Sequence, residues 1–276
     1  MNSIIYEPNK YAKLGFKIWP AMFKDIYRSR ELVWRLFLRN WLAKYKQAVL
    51  GCLWALIIPF IAIGTFIFLN RAGVLNISET AVAYPLFALI GLTVWQLFST
   101  GVTSGTQSLV TSGSMIAKIN FPHEVLVVAA MAQSIFEFMI KLILVVIFFA
   151  VYRFCPPWQA VLFPLALVPI LLLTLGLSFL LALINGVLRD VANMVSLVVT
   201  FLMFATPVLY PAKSSGNIFF KWNPLNYLVN TPRDLIVQGR IVDMEGFILS
   251  SVFALGVFLL SWRIFYIAKT KIPERI

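Results

Sequence analysis

Residues 125–152 read VLVVAAMAQSIFEFMIKLILVVIFFAVY, 28 positions interrupted by only two charges, Glu137 and Lys141. About 20 apolar residues, each rising ~1.5 Å, cross a hydrocarbon core about 30 Å thick. A segment apolar on every side has no polar face to offer water, so its solvent is lipid. Five further stretches read the same way: 50–70, 82–102, 161–188, 194–210 and 247–268. The expected fold is an all-α membrane protein with six transmembrane helices. Residues 1–49 form an amino-terminal segment and 50–276 the transmembrane domain. The fifth stretch is the shortest and carries Pro207, with Pro211 just beyond, so its end is expected to be kinked or broken.

Composition agrees. The 276 residues are 61% hydrophobic and 12% charged, with mean hydropathy +0.88; a soluble domain has about 45–50% apolar and about 25% charged residues. Residues 1–18 are mixed and Lys-rich, without an apolar core and small-residue cleavage site, so the first span is expected to be retained. Net charge is +12, but ten of the 23 Lys and Arg precede residue 50. That is the flank of the first span, where basic residues set orientation and meet anionic lipid rather than nucleic acid. Six spans put both termini on one side. Sixteen basic residues then share that side and six the other, with Lys141 within a span. By the positive-inside rule both termini are cytoplasmic.

Three segments outside the spans are long enough for structure. In residues 1–49, Trp34, Leu38, Trp41 and Tyr45 share one helical face, and Arg28, Arg35, Arg39 and Lys46 lie about a third of a turn away. This predicts a helix in the membrane interface, its aromatics dipping in and its cations among phosphates. Trp34, Arg35, Arg39, Trp41 and Lys46 are its candidate contacts to lipid and to an anionic lipid-borne ligand. The stretch 103–124 is too polar to cross and is expected as an inner loop, whose apolar residues Met115, Ile116 and Ile119, with Lys118, suit contact with a partner. The outer loop 211–246 contains two moderately apolar stretches, too short and too charged to span. They suit re-entrant or interfacial helices, tolerated at membrane depth only where protein or a water-filled cavity covers the backbone. Within it, Arg233 and Asp234 are expected to cap or pair.

No Gly-x4-Gly-Lys-[Ser/Thr] phosphate loop occurs, so a nucleotide cannot be cradled by that route. The single His123 has no second imidazole to share a metal, and the candidate metal set is none. No nucleophile–base arrangement stands out, which speaks against an enzyme. The two cysteines, Cys52 and Cys155, belong to opposite ends of spans, too far apart for a disulfide, and are expected as packing residues. Glu137 and Lys141, at i and i+4, are expected to pair on one face of the third span. If the cargo is a sugar polymer, aromatic faces give sequence-tolerant contacts. Trp95, Phe98, Phe201, Phe204 and Tyr210 are the channel candidates, with Phe220 and Trp222 near the exit.

The stretch from Arg39 through Tyr45, Lys46, Ala48, Leu50, Gly51, Leu53 and Trp54 to Pro59 resembles the opening of ABC-2 type transporter permeases, above all the branch exporting O-antigen, capsule and teichoic acid. Asn120-Phe-Pro-His-Glu-Val-Leu, Thr206-Pro-Val-Leu-Tyr-Pro and Asn223-Pro-Leu-Asn-Tyr-Leu-Val-Asn-Thr-Pro-Arg follow in the same order. The resemblance implies a homodimer in the bacterial inner membrane, joined by two copies of an ATP-binding subunit that holds the ATP and Mg; this chain itself needs no cofactor. It implies export of a lipid-linked polysaccharide, a coupling helix within 112–121 touching the ATPase, and paired outer re-entrant helices. A permease of the same type for a drug, haem or lipid is the alternative. The basic amphipathic helix and large outer loop favour the glycan.

Overall fold

The computed structural model describes residues 18–46, 51–71, 82–119, 121–210 and 222–268. Its long elements are all helical: α1 Ile18–Arg28, α2 Arg30–Tyr45, α3 Trp54–Arg71, α4 Tyr84–Thr111, α5 Gly113–Ile116, α6 Glu124–Val151, α7 Phe163–Val187, α8 Val191–Ala205, α9 Pro224–Gln238 and α10 Met244–Ala268. Four helical stretches are long and apolar enough to cross a membrane: α4, α6, α7 with its preceding 3-10 turn, and α10. Two shorter apolar helices, α3 and α8, occupy the places of the first and fifth expected spans.

α4 is the central post, packed against α3, α6, α7, α8 and α9. Its contact with α7 is close because small residues line it. A Cβ added at Gly101 would collide with the Thr174 methyl, and one at Gly105 with Ser178. Between helices in lipid, van der Waals contact and hydrogen bonds replace the hydrophobic drive, so small residues that let backbones approach favour association. Here Ser178 Oγ donates to the Gly101 carbonyl at 3.2 Å and Asn185 Nδ2 to the Thr106 carbonyl at 3.1 Å.

The expected inner loop starts later than its polarity suggests, because α4 continues through Thr111. Thr103, Ser104, Thr106 and Thr111 each donate a hydroxyl to the carbonyl four residues back, at 2.6–3.0 Å. Their polar groups are satisfied inside the helix, so a Ser/Thr-rich composition did not end it.

The fifth stretch breaks as expected. α8 stops at Ala205, and Thr206 is extended. The chain then continues through the buried Thr206, Val208 and Leu209. The segment after it holds α9, entered at Asn223, whose side chain accepts from the Leu225 N–H at 3.0 Å and donates to Thr206 Oγ1 at 3.0 Å. Gly239, with φ of 67°, ends α9 in the left-handed conformation glycine favours. α9 packs on α4, α7 and α10. It lies beside the start of α4, whereas α5 follows the end of α4, so the two short helices stand at opposite ends of the bundle.

α1 and the end of α10 share an end. Trp19 and Phe23 set their rings edge-on against Trp262, at 6.0 and 4.8 Å between centroids. Tyr266 donates its hydroxyl to Asp25 Oδ2 at 2.9 Å. Cys155 is exposed rather than packed; the Cys52 side chain lies outside the described residues.

Candidate functional site

The end of the bundle that carries α1, α2 and α5 gathers most of the residues singled out from sequence. A buried cluster ties these elements together: Met22 of α1, Leu36 of α2, Leu109 of α4, Ile116 of α5, Val125 of α6, and Phe265 of α10. Any displacement of α5 is therefore felt by α2 and α6 through direct contact.

α2 lies along the first half of α6. Leu36 and Phe37 are buried there, and the Phe37 and Trp41 rings meet Phe136 at 5.6 and 5.7 Å. The docking face is thus Leu36, Phe37, Asn40, Trp41 and Lys44. It is offset by roughly a quarter turn, at 100° per residue, from the expected face centred between Trp34 and Leu38. Only Trp41 belongs to both. Trp34 is 59% exposed. The Tyr45 side chain lies outside the described residues. The cations project outward: Arg35 pairs with Glu31 at 2.6 Å on the exposed side, Arg39 donates to Asn40 Oδ1 at 3.1 Å and to the Met115 sulfur at 3.7 Å, and Lys46 is exposed.

The expected Glu137–Lys141 pair is not the one that closes. Glu137, buried in α6, accepts from Lys44 Nζ at 2.6 Å and from Gln133 Nε2 at 3.3 Å. Lys141 is also buried, 5% exposed, one turn further along. The reason is the docking of α2: its register delivers an ammonium to the carboxylate from outside α6, which spacing within α6 alone cannot reveal. The pair is half-open, since the Lys44 side chain is 49% exposed and that of Glu137 8%.

In the coupling stretch, the expected outward apolar edge is split. Ile116 is 6% exposed and belongs to the buried cluster, so it is not a knob for a partner. Met115 is half-buried beside Arg39. Lys118 and Ile119 remain outward, Ile119 being 57% exposed.

The channel candidates divide as well. Trp95 and Phe98 are 2% and 1% exposed, with rings 5.4 Å apart inside the subunit core, so neither reaches a surface that a channel between subunits would use. Phe201 and Phe204, 73% and 59% exposed on α8, do reach the surface. Tyr210 is half-buried and donates its hydroxyl to the Phe204 carbonyl at 2.8 Å. Trp222 is exposed; Phe220 lies outside the described residues.

At the opposite end, Arg233 exceeds what sequence reading assigned to it. Its side chain is buried and donates from Nη1 to the carbonyls of Pro207 and Val208 at 3.1 and 3.2 Å, and from Nη2 to Asn230 Oδ1 at 2.7 Å. The guanidinium lies over the Phe87 ring at 3.9 Å, and Nε is 3.8 Å from Asp234 Oδ1. One cation thereby joins α9, the unravelled end of α8 and the start of α4. The signal in the sequence was Pro207 itself, which frees carbonyls that a donor must satisfy.

Residues 31–236 match ABC2_membrane, the ABC-2 type transporter family. The chain belongs to that family. The matched region runs from the start of α2 almost to the end of α9, while α1 and α10 lie outside it. Among curated relatives, the O-antigen export system permease protein RfbA of Myxococcus xanthus is 29% identical over 244 residues, 87% of this chain and 92% of that protein. Two proteins of Klebsiella pneumoniae with the same name are 29% identical over 204 residues and 28% identical over 225 residues, covering 72% and 76% of this chain and 77% and 84% of theirs. As an ABC-2 permease the chain is a multi-pass membrane protein of a transporter, and its chemistry is passage rather than catalysis.

Proposed function

We propose that this chain is the membrane-spanning permease subunit of an ATP-driven exporter that moves a lipid-linked, O-antigen-like polysaccharide from the cytoplasm to the outer face of the bacterial inner membrane. The observation that carries the reading is similarity to three O-antigen export permeases over 72–87% of this chain. In this reading α3 and α8 complete six spans and both termini are cytoplasmic, which agrees with α1 and the end of α10 sharing one end of the bundle. Two copies form the conduit, and two copies of a separate ATP-binding subunit drive it, because the chain has no phosphate loop of its own.

Three regions divide the work. α5 and the residues after it, with Lys118 and Ile119 outward, receive the push of the ATPase, and the buried Ile116 passes it into the cluster shared with α2, α6 and α10. The outward cations of α2, with Trp34, meet the inner-leaflet phosphates and an anionic cargo carrier. α9, held by Arg233, closes the far end, and Phe201 and Phe204 are the aromatics placed to touch a passing glycan. Deleting the gene tests the reading. Surface glycan should disappear while lipid-linked glycan accumulates inside the cell; unchanged surface glycan would refute it and favour another cargo.

A further inference from the structure

Between α2, α4 and α6 lies a cleft of about 200 Å³. Ser104, Gln107, Ser108 and Thr111 form its α4 wall, and Asn40 and Gln133 face them. Positions 104, 107, 108 and 111 fall on one face of a helix, so α4 carries a hydrophilic stripe here. No charged residue lines the cleft, and aliphatic side chains such as Leu36 and Leu126 complete its walls. The charges stand one step behind the wall: Arg39 donates to Asn40 Oδ1 and to the Met115 sulfur, and Gln133 and Lys44 both donate to Glu137.

Gln107 and Thr111 are exposed, at the open side of the cleft. Ser108 and Thr111 donate their protons to helix carbonyls, which leaves their hydroxyl oxygens to accept, while Ser104 donates to the Thr100 carbonyl and lies 3.3 Å from Ser134 Oγ. The Gln107 side-chain amide makes no hydrogen bond to any described residue, and it offers two N–H donors and a carbonyl. Neutral donors, neutral acceptors and aliphatic surface side by side give little to a phosphate. They match a polyol, whose C–H groups meet the aliphatic wall while its hydroxyls meet amides. A protein cavity of about 150 Å³ holds one benzene ring, so about 200 Å³ leaves room for a single six-membered sugar ring.

We propose that this cleft binds a single uncharged, hydroxyl-rich group presented at the α1–α2 end of the bundle. Two sources share that chemistry: one sugar residue of the cargo, or the glycerol headgroup of phosphatidylglycerol. The first source rests on the exporter reading; the second does not.

The test uses the full chain in nanodiscs of phosphatidylethanolamine, prepared without sugar detergents. Saturation-transfer NMR with methyl α-glucopyranoside reads the sugar arm. Native mass spectrometry after addition of phosphatidylglycerol reads the lipid arm. Gln107→Leu and Thr111→Val alter exposed residues of the cleft, and an unchanged unfolding midpoint confirms that each variant folds. Glucoside binding in the millimolar range, weakened at least five-fold in both variants, supports the sugar source. Phosphatidylglycerol retention lost in both variants, without a glucoside signal, supports the lipid source. Absence of both signals in the wild type, or signals that neither variant changes, overturns the proposal. Intact binding by a chain whose deletion leaves surface glycan unchanged would sink the exporter reading alone.

Discussion

Lys44 and Glu137 show what a single residue contributes here. A carboxylate 8% exposed within an apolar helix costs free energy unless a cation and donors reach it. Lys44→Met removes the cation in contact with the carboxylate, so it should lower stability by about 1–3 kcal/mol, toward the low end because Lys44 itself is half in solvent and the buried Lys141 stands one turn away. Adding Glu137→Gln should recover most of that loss. Detergent-unfolding midpoints of the two single variants and the double check it; additive losses would mean the two side chains do not interact. Arg233 is the second case. Arg233→Lys keeps a charge but not the fork that satisfies two carbonyls and Asn230 together, so it should destabilise by about 2–4 kcal/mol in the same assay. A Lys variant as stable as wild type would contradict the bracing role. Residue identities made both groups visible in the sequence as candidates, but not their partners. Glu137 takes its cation from a helix about 90 positions earlier in the chain, a relation that local spacing cannot contain.

At the scale of elements, hydropathy located every long apolar helix, because the need to face lipid on all sides is written in composition. It misplaced the end of α4, where hydroxyls satisfied by their own helix look like loop residues, and it turned the docking face of α2 by about a quarter turn. The latter error has a physical source: α2 meets a partly polar surface around Gln133 and Glu137, so Asn40 and Lys44 belong to the side turned toward α6 and Trp34 does not. Two element-level predictions follow from packing. Gly101→Val forces α4 away from α7 and should cost about 1–3 kcal/mol or more, whereas Gly256→Ala on α10, with open space around it, should be neutral or gain up to about 1 kcal/mol. Equal unfolding midpoints would show that α4 and α7 are not closely set. In the coupling stretch, Ile119→Asp should release the ATP-binding subunit in a detergent pulldown while the permease stays monodisperse. Ile116→Asp should instead aggregate the permease itself. The reverse assignment would mean that Ile116 faces outward.

For the whole molecule, the arrangement is a post, α4, around which the other long helices gather, with a buried cluster of α1, α2, α5, α6 and α10 at one end and the Arg-braced α9 at the other. The sequence carries no Gly-x4-Gly-Lys-[Ser/Thr] phosphate loop. In the proposed reading, work enters through a separate ATP-binding subunit, and two copies of the chain complete the conduit. Reconstitution in proteoliposomes tests this most directly. The chain alone, under any imposed ion gradient, should move no lipid-linked glycan, and adding its ATP-binding subunit with ATP and Mg should start transport. Gradient-driven transport by the lone polypeptide would contradict the account.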